Sequence, residues 1–141
     1  MTATAPSIEY GRAETVALPY QSAVAATREA LAAEGFGVLT EIDVAATLKK
    51  KLDVDFRPYL ILGACNPPLA HRALSAETAI GLLLPCNVIV YAGDQPETSV
   101  VAVLDPEVQL GLTGRADLKP VAAGVKARLL RALSAVKAKE N

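Results

Sequence analysis

Apolar and polar positions alternate with two different periods along this chain, and the switches between them mark the elements. Ile8, Tyr10, Val16 and Leu18 suggest extended structure around Gly11-Arg12, as a hairpin or one bulged strand. From Pro19 the spacing becomes helical. Tyr20, Val24, Thr27 and Leu31 recur on one face, Ala23, Ala26 and Ala30 allow close packing, and Gly35 is the stop. Phe36 is expected to fold back on that helix. Val38, Leu39 and Ile42 make a short strand. Asp43 then caps a second, short helix with Val44, Leu48 and Leu52 inward and Lys49-Lys50-Lys51 on or just after its exposed side.

Residues 59–64 carry no charge, which predicts a central strand covered on both faces. Asn66 is a strong helix cap and Pro67 suits the first helical position, with Leu69, Ala70, Ala73 and Leu74 as the inner face. Residues 79–84 are ambiguous between helix and strand. Residues 87–92 and 98–104 read as strands joined through the Gly93-Asp94-Gln95-Pro96 turn, an antiparallel hairpin. Asp105-Pro106 starts one helical turn, Gly111 and Gly114 mark a loop, and Asp117 is expected to cap a last helix. That helix turns Leu118, Val121, Val125, Leu129, Leu133 and Val136 inward and Lys119, Lys126, Arg128, Arg131 and Lys137 outward. The hairpin favours a two-layer α+β domain over a doubly wound one: four to six strands, two long helices and two short ones.

The 141 residues fit one domain, 1–141, with residues 1–7 as a flexible start. Apolar residues make up 52% and charged residues 21%, which speaks against disorder. Fourteen basic and 15 acidic side chains give a net charge of -1, so nothing points to nucleic acid or an anionic membrane as partner. Aromatics at 4%, with no Trp, argue against a base-stacking surface. The first residues lack the charges and the long apolar run of a leader, and the apolar stretch 79–91 is too short to span a bilayer. The expected location is the cytoplasm, where two cysteines remain free thiols.

Candidate chemistry gathers at Cys65-Asn66 and Cys86-Asn87. Cys65 precedes a helix N-cap, where dipole and free amides favour a thiolate. If the two flanking strands run antiparallel, both sulfurs share one rim of the sheet; if parallel, they lie at opposite ends. Against this stands the plain reading of two small buried apolar residues at strand ends. His71, the sole histidine, could complete a Cys65, Cys86, His71 metal set with zinc as candidate ion, although it falls off its helix's inner face. Asn66 and Asn87 have structural roles as cap and turn residue, and a second candidate role as amides orienting a small polar ligand. Glu41 and Asp43 read first as a lysine partner and a helix cap.

The strings Gly63-Ala64-Cys65-Asn66-Pro67 and Leu83-Leu84-Pro85-Cys86-Asn87, with Asp43, Lys51-Leu52, Tyr59 to Leu62 and Leu69-Ala70 in order, resemble the domain of unknown function 302 family over about residues 8–106. The resemblance implies a compact TATA-binding-protein-like fold of β-α-β4-α order, with an antiparallel curved sheet packed by two main helices. It also implies small cytosolic proteins, often homodimeric, and no established activity. One departure is that Tyr91 is followed by Ala92 where such proteins often carry an acidic residue.

Three functions compete on this sequence. The leading one is a cytosolic domain that binds a small ligand or a metal near Cys65, Asn66, Cys86 and Asn87. The second is a thiol enzyme with Cys65 as nucleophile or redox thiol and Cys86 as its resolving partner. The third is a homodimeric interaction module with structural cysteines. Whether the chain is an enzyme stays open at this level, and no catalytic residue is assigned.

Overall fold

The structure is a computed structural model that describes residues 5–140. The expected flexibility of residues 1–7 falls, for residues 1–4, outside the described residues. Five strands form one antiparallel sheet: β1 (Gly11–Val16), β2 (Gly37–Asp43), β3 (Tyr59–Cys65), β4 (Cys86–Ala92) and β5 (Ser99–Leu104), in the order β1-β5-β4-β3-β2. Between and after them come α1 (Tyr20–Ala33), α2 (Val44–Leu52), α3 (Pro67–Ala76), α4 (Pro106–Gly111) and α5 (Lys119–Lys137). Two 3-10 turns, Thr78–Leu83 and Ala116–Leu118, complete the order. This is the expected α+β, two-layer arrangement of β-α-β4-α order with short helices added. The start is one strand rather than a hairpin: β1 pairs with β5 along its whole length.

Local chemistry accounts for most boundaries. At the end of α1 the Phe36 N–H donates to Leu31 O (3.0 Å) and the Gly35 N–H to Ala32 O (3.1 Å), with Gly35 at φ +82°. These are the two bonds of a Schellman motif, and they swing Phe36 back into the core. The Ala46 N–H donates to the Asp43 carboxylate (2.9 Å), the expected cap of α2. The Asp105 carboxylate accepts from the Glu107 N–H (2.9 Å) at the start of α4 and from Lys126 Nζ (3.0 Å).

The core lies on one face of the sheet. Leu60, Leu62, Val88, Val90, Val101 and Val103 point into it and meet Leu31 of α1 and Leu129, Leu133 and Val136 of α5. The predicted inner stripe of α5, Leu118 included, is buried as expected. Its outer side is less free than expected: Lys126 pairs with Asp105 and Glu107, Arg131 with Glu34, and Lys137 with Glu140.

Three expectations change. Asp117 does not cap α5; it lies in the preceding 3-10 turn and pairs with Arg115 (2.7 Å), leaving Leu118 at the N-cap without a side-chain bond. Helix α2 buries none of its residues, and Leu52 is 65% exposed, because this nine-residue helix sits beside the sheet's end instead of on the core. Strand β3 is interior in the sheet, but the core helices cover only one of its faces. The other face is uncharged because its row of residues is apolar in its own right. Ile42, Ile61, Ile89, Ala102 and Ala13 are register partners across all five strands, with Tyr59 and Tyr91 stacked beside them at 5.2 Å. A second, smaller cluster on that side is built from Ala13, Val100 and Ala102, with Ile8 packed against it.

Candidate functional site

β3 and β4 run antiparallel, so the end of one lies beside the start of the other and Cys65 and Cys86 share one rim of the sheet. Both line a cavity of about 330 Å3, at the small end of the range for small-molecule sites. The sheet supplies Ala64 and the two cysteines, Phe36 enters from the turn before β2, and α3 supplies the face carrying Leu69, Ala70, Ala73 and Leu74. Pro106 and Leu110 of α4 and Val121 and Val125 of α5 close the far side. The exposed Leu39, Thr40 and Gly81 stand at its mouth. The space follows from side-chain size. Ala64, Ala70 and Ala73 face one another where larger residues would fill the gap between helix and sheet.

The two thiols differ. Cys86 is 7% exposed, and its Sγ donates a long bond (3.7 Å) to Gln109 Oε1. Gln109 in turn donates through Nε2 to Leu83 O, tying α4 to the 3-10 turn above the cavity. Burial first, and the nearby Cys65 second, push the Cys86 thiol up to about 11. It is therefore protonated at neutral pH and a poor nucleophile. Cys65 is half-buried and unpaired. The residue registered with Cys86 is Ala64, so Cys65, the last residue of β3, is offset by one position from the directly facing pair, while both thiols still line the cavity and Cys65 is near enough to act on the Cys86 thiol. Thiols one residue out of step do not have the facing Cβ vectors that a direct disulfide needs.

Asn66 lines the cavity, but as a cap: its Oδ1 accepts from the Leu69 N–H (3.3 Å) and its Nδ2 donates to Gly35 O (3.5 Å). Asn87 does not line it. One position past Cys86, it is turned to the opposite face, in register with Gly63, and is exposed. The Cys65, Cys86, His71 metal set is not assembled. Among the described residues, no three His, Cys, Asp or Glu side chains come together as a metal site, because helical phase points Ala70 and Ala73 into the cavity and leaves His71 exposed. Among the described residues, zinc finds no ligand set.

The inner-face periodicity of α3 and α5 places Leu69, Ala73, Val121 and Val125 inside, yet it cannot show that their combined volume falls short. The three alanines were the signal available. Gln109, Thr40 and Leu110 carry no sequence pattern that would have marked them.

A two-layer α+β domain with an apolar cavity at its cysteine rim is thus the class of molecule that fold and site define. The family model for the domain of unknown function DUF302 matches residues 13–136, and the chain belongs to that family. It is similar to the crystal structure of an uncharacterized conserved DUF302 protein from Bacillus stearothermophilus, with 30% identity and a TM-score of 0.82 over 91% of this chain and 98% of that one. No curated protein matches the chain. No helix among the described residues is long and apolar enough to cross a membrane.

Proposed function

We propose that this protein binds a small ligand in the cavity between α3 and the β3–β4 rim, with Cys65 and Cys86 in its wall. The observation that carries the reading is the cavity itself: about 330 Å3 left unfilled in an otherwise close-packed core, open at a mouth and bounded by three separate helices. A thiol enzyme is less well supported, since the resolving thiol is buried and protonated and the two sulfurs are out of register. Methyl-resolved NMR with benzene as probe tests binding. Signals of Leu69, Leu74 and Leu110 should shift with saturation while those of Leu31 and Leu129, buried elsewhere, stay put. Unmoved cavity methyls at saturating benzene overturn the reading.

A second reading concerns assembly. The sheet face away from the helices supports a homodimer. An exposed antiparallel face is normally polar, whereas the row from Ile42 to Ala13 has no charged member, and Ile42 and Phe56 are each 49% exposed. Ile8 covers only the side near Ala13, Val100 and Ala102. The charge at its border is a matched pair, Arg57 over the Tyr91 ring and Asp94 beside it at 3.1 Å, and isologous pairing needs no complementary charge. Sedimentation equilibrium at tens of micromolar should give twice the chain mass, and Ile61→Lys should return the monomer. A monomeric unsubstituted chain overturns this reading.

A further inference from the structure

We infer that the ligand of the rim cavity is a neutral, hydrocarbon-rich molecule, and that the site rejects carboxylates and phosphates; this rests on the ligand-binding reading above and narrows it. The inference comes from accounting for every polar group in the wall. No Asp, Glu, Lys, Arg or His lines the cavity. Its polar members are Thr40, Cys65, Asn66 and Cys86. The Asn66 amide is engaged at both ends, its Oδ1 by the Leu69 N–H and its Nδ2 by Gly35 O, which leaves one amide N–H over, a donor too few to replace the water of an anionic head. The Cys86 thiol is committed to Gln109, and Gln109 to Leu83 O. Thr40 sits out at the mouth, and Cys65 offers only a half-buried thiol, a weak hydrogen-bond donor and acceptor. Among the described residues, no buried side-chain nitrogen or oxygen lacks a partner that a ligand could supply.

The start of α3 is the one place where an anion would ordinarily be held, by free backbone amides and the helix dipole. Here those donors are gone. Pro67 and Pro68 have no N–H, the Leu69 N–H is taken by the Asn66 side chain, and the Ala70 N–H donates to Asn66 O (2.9 Å). A charged head entering this space would lose its water and find no compensating bond. A hydrocarbon loses nothing and gains contact with Leu69, Leu110, Val121 and Val125. The cavity, about 330 Å3, is at the small end of the range for ligand sites. That sets the size of the class: a short aliphatic chain or a single ring, carrying at most a hydroxyl or carbonyl that can reach the mouth.

The test holds chain length fixed and changes only the head. Octan-1-ol, octanoate and octyl phosphate are titrated into the full chain at pH 7.5, followed by the cavity methyl signals and by the thermal midpoint. Octan-1-ol should bind at least tenfold more tightly than either anion and raise the midpoint. Binding should vanish in Ala70→Phe, which fills the space from the helix side. Ala70→Leu, a smaller filling, serves if the Phe variant loses its helical circular dichroism. Octanoate or octyl phosphate binding as tightly as the alcohol, with the same methyls shifted, overturns the neutral-ligand inference and leaves the cavity as a binding site. No shift with any of the three, or with benzene, overturns both. Octan-1-ol affinity unchanged in a folded filled variant places the binding elsewhere and also overturns the inference.

Discussion

Ala64, not Cys65, stands opposite Cys86 across the β3–β4 ladder. Antiparallel pairing brings the two cysteines to one rim and into one cavity wall, and this single-residue offset removes them from the directly facing position that a disulfide across a ladder uses. Mild oxidation of the folded protein should therefore leave both thiols titratable. Thiol counting after unfolding in acid, or intact mass with and without reductant, checks it; rapid loss of two hydrogens in the folded chain would show that the rim bends enough to pair them.

The Cys86 thiol couples folding to pH at the alkaline end. Its ordinary value is 9.0, and burial, with Cys65 as the lesser cause, raises it in the folded chain to about 11. Between those values the unfolded chain gives up a proton that the folded chain retains, so stability is whole below about pH 9 and falls as pH rises toward 11. At ~1.4 kcal/mol per unit the loss is on the order of 3 kcal/mol. Tyr20, Tyr59 and Tyr91 are also raised, chiefly by burial, and act in the same direction at higher pH. Urea titrations of the protein and of Cys86→Ala at pH 8 and pH 10.5 isolate the cysteine: the variant should lose distinctly less over that interval.

Gly35 closes α1 from the left-handed region at φ +82°. An alanine there forces a Cβ into a conformation that side-chain-bearing residues rarely adopt, and its Cβ would also meet Asn66 Nδ2 at 3.2 Å. Gly35→Ala should cost about 1 kcal/mol in urea unfolding and disturb the Asn66 cap next to the cavity. The effect on the cap is read as a shift of the Leu69 amide signal, and an unchanged midpoint would contradict the role given to this glycine.

Much of this fold was legible because local signals and long-range packing agree. Gly35 with Phe36, Asp43, and Asn66 with Pro67 each act through neighbours two to five residues away, and each does what its type predicts. The inner stripe of α5 has a clean helical period and lands in the core. Errors came where one pattern serves two environments. The uncharged run 59–64 looks doubly covered because the outward Tyr59 and Ile61 belong to an apolar row, and a single strand cannot reveal whether a helix or something else meets that row. Asp117 resembles a cap until Arg115, two residues earlier, claims its carboxylate. At the site, the shared rim of Cys65 and Cys86 was one of two alternatives open in the sequence, and the antiparallel pairing of β3 with β4 decides between them. The exclusion of Asn87 required the register, and the void required the volumes of side chains from six elements.

Gly63 joins these two levels. It lies in β3 two residues before Cys65, and a Cβ there would overlap Thr40 Oγ1 of the neighbouring edge strand and stand 2.7 Å from Pro85 Cγ. The Thr40 hydroxyl is exposed and can rotate away, but the Pro85 ring is fixed between the 3-10 turn and the start of β4. Relief must therefore come from displacing Pro85, which is itself part of the cavity wall beside Cys86. Gly63→Ala should destabilise the protein by ~1–3 kcal/mol, the range for overpacking a filled site. Adding Thr40→Ala should recover only part of it, since the proline clash persists. The same variant should move the methyl signals of Leu84 and Leu110 while leaving those of Leu31 and Leu129 on the far side of the core unchanged. A variant as stable as the parent, with its cavity signals in place, would mean that the β2–β3–Pro85 contact yields freely and does not set the shape of the site.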